Sequence, residues 1–87
     1  MELEWDEAKN LGNIEKHGVG FDTVRGFDWE SALIYQNDRK GEHRWVAVGY
    51  IGVRLHRVAF AHRGNARRII SLFKANARER KRYERRI

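Results

Sequence analysis

Residues 45–74 read WVAVGYIGVRLHRVAFAHRGNARRIISLFK, and this run decides the fold. Trp45, Val46, Val48 and Tyr50 form a strand, and Gly52 sits in a tight turn. Val53 to His62 is the next strand, with Val58 and Phe60 pointing inward. Arg63-Gly64-Asn65 turns the chain again, and Arg67 to Lys74 follows as a strand built on Ile69, Ile70, Leu72 and Phe73. Upstream, Ala32 to Tyr35 is a further strand, separated by the exposed turn Asn37-Asp38-Arg39-Lys40-Gly41. Consecutive strands joined by short loops imply an antiparallel meander.

Outward from this core the period changes to that of helices. Leu3 and Trp5 alternate with Glu2 and Glu4 as a short strand. Asp6 is a good N-cap, and Ala8, Leu11 and Ile14 recur at helical spacing. A helix is therefore predicted from Asp6 to His17, with Gly18 as its C′ residue. Phe21, Val24 and Phe27 predict a second short helix, weakened by Gly26. At the other end Asn76-Ala77-Arg78-Glu79 has the capping-box pattern and starts a last helix. Its apolar positions are Ala77, Tyr83 and Ile87, a face thin enough to need a partner for full formation. The expected fold is α+β: an antiparallel sheet of four to five strands, two N-terminal helices and one C-terminal helix. The helices lie on one face, and residues 1–87 form a single domain.

Composition narrows the function. The chain has 87 residues, 18 Lys plus Arg, 12 Asp plus Glu and a net charge of +6. Ten of the acids precede residue 44, whereas thirteen of the bases follow residue 43. Thirteen of the 18 bases are Arg, whose planar fork grips phosphate. This points to a polyanion, most simply nucleic acid, with an acidic protein surface as the alternative. The absence of Cys excludes disulfides, thiolate metal sites and a Cys nucleophile. No apolar run reaches the length of a transmembrane helix, and MELEWDE lacks the apolar core of a signal peptide. A cytoplasmic protein without a membrane partner is expected.

The four histidines, His17, His43, His56 and His62, make no HxH or HxxxH pair, so no metal and no cofactor is expected. Ser31 and Ser71 lack a nucleophile-elbow context, and Gly18-Val19-Gly20 lacks the lysine and preceding strand of a phosphate loop. His17 reads as a helix cap, Glu79 as a capping-box partner, and Trp5, Trp45 and Phe60 as core. What remains is a basic sheet. Alternation puts Arg57 and Arg63 on one face of their strand. It puts Arg68 and Lys74 on one face of the next, with Ile70 and Leu72 between them and Arg67 opposite. Tyr83 is expected to reach a sheet edge, and His62 is the best-placed proton carrier. Such a surface suits RNA cleavage by the substrate's own 2′-OH, which needs neither metal nor enzyme nucleophile.

The ordered set Trp5-Asp6, Lys9, Asn13, Lys16-His17-Gly18-Val19, Phe21, Phe27, Gly41-Glu42, Arg44-Trp45, Gly49, Arg63, Arg68-Ile69-Ile70-Ser71, Lys74-Ala75, Glu79-Arg80 and Tyr83 resembles the BrnT family of bacterial type II toxin–antitoxin systems. The resemblance runs from Leu3 to Tyr83. It implies a RelE-like fold, ribonuclease activity that blocks translation, and neutralisation by a BrnA-type antitoxin with a ribbon-helix-helix domain. It also implies binding to operator DNA only through the antitoxin complex. Arg63, Arg68 and Lys74 fall on basic positions of the family motif, and Tyr83 falls on its terminal tyrosine. With His62 these are the expected catalytic residues, and Arg44, Arg57, Arg67 and Arg78 are the expected RNA contacts. Two positions depart from the pattern: Phe73 replaces a basic residue and His62 replaces an acid. A cation lost from a phosphodiester site costs about 2–4 kcal/mol of transition-state stabilisation. The alternative is therefore a non-catalytic toxin, retained as an antitoxin-binding corepressor or basic nucleic-acid binder.

Overall fold

The computed structural model describes residues 2–86. The chain runs through β1 (Glu2–Trp5), α1 (Glu7–His17), a 3₁₀ turn (Phe21–Gly26), β2 (Leu33–Gln36), β3 (Trp45–Ile51), β4 (Arg54–Arg63), β5 (Ala66–Lys74) and α2 (Ala77–Arg85). The strands form one sheet in the order β1-β5-β4-β3-β2. The α+β class and the antiparallel meander of β2 to β5 are as expected. β1 joins the free edge of β5 in parallel, which makes the sheet mixed. Ile87, read as an apolar position of the last helix, lies outside the described residues.

The local signals act as read at the helix ends. Asp6 accepts a hydrogen bond from the Ala8 amide, and Gly18 ends α1 at φ 74°, a left-handed conformation that only glycine adopts without strain. At α2, Asn76 accepts from the Glu79 amide at 2.8 Å and Glu79 accepts from the Asn76 amide at 2.9 Å, so the capping box is complete.

The helices do not share one face, contrary to expectation. The 3₁₀ turn packs Phe21, Val24 and Phe27 onto Ala47, Val58, Phe60, Ile69 and Leu72. On the opposite face Tyr83 of α2 packs with Val46, Val48, Leu55 and Ala75. The reason is in β3, where Val46, Ala47, Val48 and Gly49 are all buried in succession. A strand buried on both sides needs cover on both sides. At Gly49 an added Cβ would lie 2.8 Å from the Phe27 ring, so the first layer approaches the sheet without room for a side chain there.

α1 contributes little apolar surface, with Leu11 and Ile14 exposed. Its buried residue is Asn13. The β1–β5 ladder ends at Trp5 opposite Ile69. Beyond it, the Asn13 amide donates to the Leu72 carbonyl at 2.8 Å and accepts from the Leu72 amide at 3.1 Å. One side chain thus substitutes for a strand and satisfies an edge that would otherwise be buried unpaired.

The β4–β5 ladder carries one irregularity. Ala59 faces Ser71, but Phe60 faces Ile69, and Ile70 has no partner. This bulge reverses the face assignment on either side of it. Ile69 and Leu72, three apart, both enter the first core. Arg68 therefore shares a face with Ser71 and Phe73, not with Leu72 and Lys74, which corrects the expectation of a common Arg68–Lys74 face.

Candidate functional site

The face bearing α2 is the one on which basic side chains meet. Arg63 on β4 and Arg68 on β5 lie at the end of the sheet beside β1. Glu4 of β1 reaches both: its Oε2 is 2.7 Å from Arg68 Nη1 and 3.7 Å from Arg63 Nη1. Parallel pairing of Glu4 with Arg68 and antiparallel pairing of Arg63 with Ala66 bring the three together. The sheet between this trio and α2 carries Ala59, Ala61 and Ser71, whose small side chains leave the surface low.

At the far side of that floor Arg57 is held rather than free. Its Nε is 2.9 Å from Glu79 Oε2, with both side chains mostly buried. Its guanidinium lies over Phe73 at 5.3 Å. Glu79 thus caps α2 and fastens it to β4. Phe73 packs between Arg57 and His17, whose ring lies 5.0 Å away. Arg44 is engaged by Glu42, which holds that carboxyl below its usual value by hydrogen bond and charge. Arg78 lines a cavity of about 650 Å³ between α2 and Leu33 of β2.

The other residues singled out from the sequence lie elsewhere. His62 alternates to the face opposite Arg63, edge-on to Trp45 at 5.9 Å and to Phe60 at 5.6 Å. Arg67 is its ladder partner on that same face, lying 3.8 Å over Trp29. Lys74 is exposed opposite His56, on the Leu72 side of the bulge. Tyr83 is buried under α2, edge-on to Tyr50 at 5.7 Å. The structure thus brings Arg63 and Arg68 together and separates His62, Lys74 and Tyr83 from them. Among the described residues no group of three or more His, Asp or Glu side chains is placed to hold a metal ion.

Sequence reasoning missed Glu4. Its alternation with Leu3 and Trp5 was visible, but not that β1 would pair with β5 and aim the carboxylate at two arginines.

The fold and this arginine pair define a small α+β protein with a basic patch on one sheet face. A model of the family described as the ribonuclease toxin BrnT of type II toxin–antitoxin systems matches residues 5–79. Among solved structures the chain is similar to the 1.1 Å crystal structure of the Brucella abortus ribonuclease toxin BrnT. The identity is 32% and the TM-score 0.71, over 87% of this chain and 97% of that one. Among curated proteins nothing matches. The chain belongs to the BrnT family of ribonuclease toxins of type II toxin–antitoxin systems, and membership implies an antitoxin as its partner. No helix among the described residues is long and apolar enough to cross a membrane.

Proposed function

We propose that this chain is an endoribonuclease that cleaves RNA through the substrate's own 2′-OH, without a metal ion, on the sheet face that carries Arg63 and Arg68. The single observation behind this reading is the convergence of both guanidinium groups on one carboxylate oxygen of Glu4. Two forks that share one oxyanion in the free chain can share a phosphate oxygen when RNA displaces it. They stabilise the extra negative charge of the pentavalent transition state as the 2′-oxygen bonds to phosphorus and the P–O5′ bond breaks, the 2′-OH proton passing to water and the leaving 5′-oxygen taking a proton from water. Small residues at Ala59, Ala61 and Ser71 leave room for a backbone to approach, with Arg57 on the same face held by Glu79. In this reading His62, Lys74 and Tyr83 act away from the scissile phosphate. The cell consequence is inhibition of translation in the cytoplasm, reversed by a ribbon-helix-helix antitoxin whose complex with the toxin binds operator DNA.

The deciding experiment incubates purified, antitoxin-free protein with labelled RNA in excess chelator, beside a folded Arg63→Ala/Arg68→Ala variant. Cleavage by the wild type and a loss of at least about 100-fold in the variant are expected. Equal cleavage by both proteins would sink the assignment. A second reading, a toxin that binds RNA or antitoxin without cutting, is favoured by Glu4, which already satisfies both arginines. It predicts salt-sensitive RNA binding and intact RNA in the same assay.

A further inference from the structure

On the face opposite Arg63 and Arg68, a pocket of about 460 Å³ opens between β1 and the 3₁₀ turn. Glu2, Leu3, Val24, Arg25, Trp29 and Arg67 line it. This volume falls within the range of small-ligand sites, about 300–1,000 Å³. Arg67 is its unusual member. Its guanidinium lies 3.8 Å over the Trp29 ring and 5.9 Å from Phe60. Its Nε is buried and has no hydrogen-bond partner among the described residues. No carboxylate among them pairs with it within 4.0 Å, whereas Arg63 and Arg68 on the other face share Glu4. Burial holds the Arg67 guanidinium below its usual range. A half-buried guanidinium with no anion and one buried N–H unpaired is an incomplete arrangement. Across the pocket, Arg25 lies 5.6 Å over Trp5, with only its Nε engaged, by an exposed Asp22.

We propose that this pocket is a second, non-catalytic subsite for one nucleotide of single-stranded RNA. The base stacks on the outer plane of the Arg67 guanidinium, and the phosphate takes the free N–H groups of Arg25 and Arg67. The inference rests on the reading of RNA as substrate and adds a binding position on the other side of the sheet. One chemical feature selects a nucleotide over the carboxylates of an acidic protein: a flat guanidinium backed by Trp29 is a stacking platform for any base.

The test uses a ten-nucleotide 2′-O-methyl oligonucleotide, which binds but lacks the attacking hydroxyl, and reads fluorescence anisotropy at several salt concentrations. Arg67→Met keeps the packing on Trp29 and removes the charge. It is expected to weaken binding about tenfold and to reduce the salt slope by about 0.7. Arg25→Gln, at an exposed position, is expected to reduce the slope by the same amount and serves if Arg67→Met does not fold. Unchanged affinity and slope in the folded variants overturn the subsite. So does weakened binding of polyglutamate with unchanged oligonucleotide binding, which would make this an acidic-protein site. Cleavage of ordinary RNA by the same proteins separates the two ideas. Loss of cleavage in Arg63→Ala/Arg68→Ala with no effect of Arg67→Met on binding leaves the ribonuclease reading intact and removes only this one.

Discussion

Glu4 holds two arginines with one carboxylate, and its removal reports what that carboxylate does. The pair is partly exposed, with about a third of the Glu4 and Arg68 side chains open to water and more of Arg63. Its contribution to stability is therefore small, about 0–1 kcal/mol. Its effect on the proposed RNA binding is expected to be larger, because a phosphate at the two arginines competes with it. Glu4→Gln keeps the shape and removes the charge. It is expected to tighten binding of an uncleavable RNA several-fold and to leave the thermal midpoint within a few degrees of wild type. Weaker RNA binding by the folded variant would mean that Glu4 positions the arginines for RNA instead of competing with it. The same scale explains Phe73. Its ring fills the space between Arg57 and His17, and so it serves packing.

At the scale of elements, two side chains stand in for secondary structure. Asn13 completes the β5 edge through both backbone groups of Leu72. Asn13→Ala strands those groups, with an expected cost of about 2–4 kcal/mol in chemical denaturation and faster amide exchange at Leu72. Unaltered exchange there would show that water replaces the amide freely. Glu79 joins α2 to the sheet through Arg57 while closing the capping box. Glu79→Ala loses both roles and leaves Arg57 mostly buried without its partner, at an expected cost of about 2–4 kcal/mol. Glu79→Gln preserves the cap geometry and is expected to lose less. An equal loss in the two variants would assign the whole effect to the ion pair.

Across the whole molecule, charge sets the response to pH. Asp28 is held below its ordinary value near 3.8 by hydrogen bonds from Ser31. Asp38 is lowered chiefly by Gln36, and Glu42 is lowered from about 4.5 by Arg44. A carboxyl with a depressed folded value stabilises the fold above its unfolded value. That contribution disappears as pH falls through the folded value. Protonation also adds to a net charge that is already +6. The thermal midpoint is expected to stay level between pH 8 and 5 and to fall below about pH 4. A fall centred between pH 6 and 7 would assign the sensitivity to a histidine instead.

Much of this architecture was written in local patterns. Period-two runs separated by glycine turns specify β2 to β5, because alternation and turn chemistry act over a few residues. The caps at Asp6, Gly18 and Asn76 are local for the same reason, and the charge gradient along the chain needs no fold to be read. The order of residues from Trp5 to Tyr83 was enough to indicate the family. The tertiary structure decided what depends on contacts far apart in sequence: the parallel seat of β1, the use of Asn13 as an edge strand, and the two-sided cover of β3. It also decided which basic residues meet. A single unpaired residue, Ile70, moves Arg68 away from Lys74 and toward Arg63, and no alternation count along β5 contains that bulge. Glu4 and Arg68 are 64 positions apart, and only the strand pairing between them brings the two side chains together.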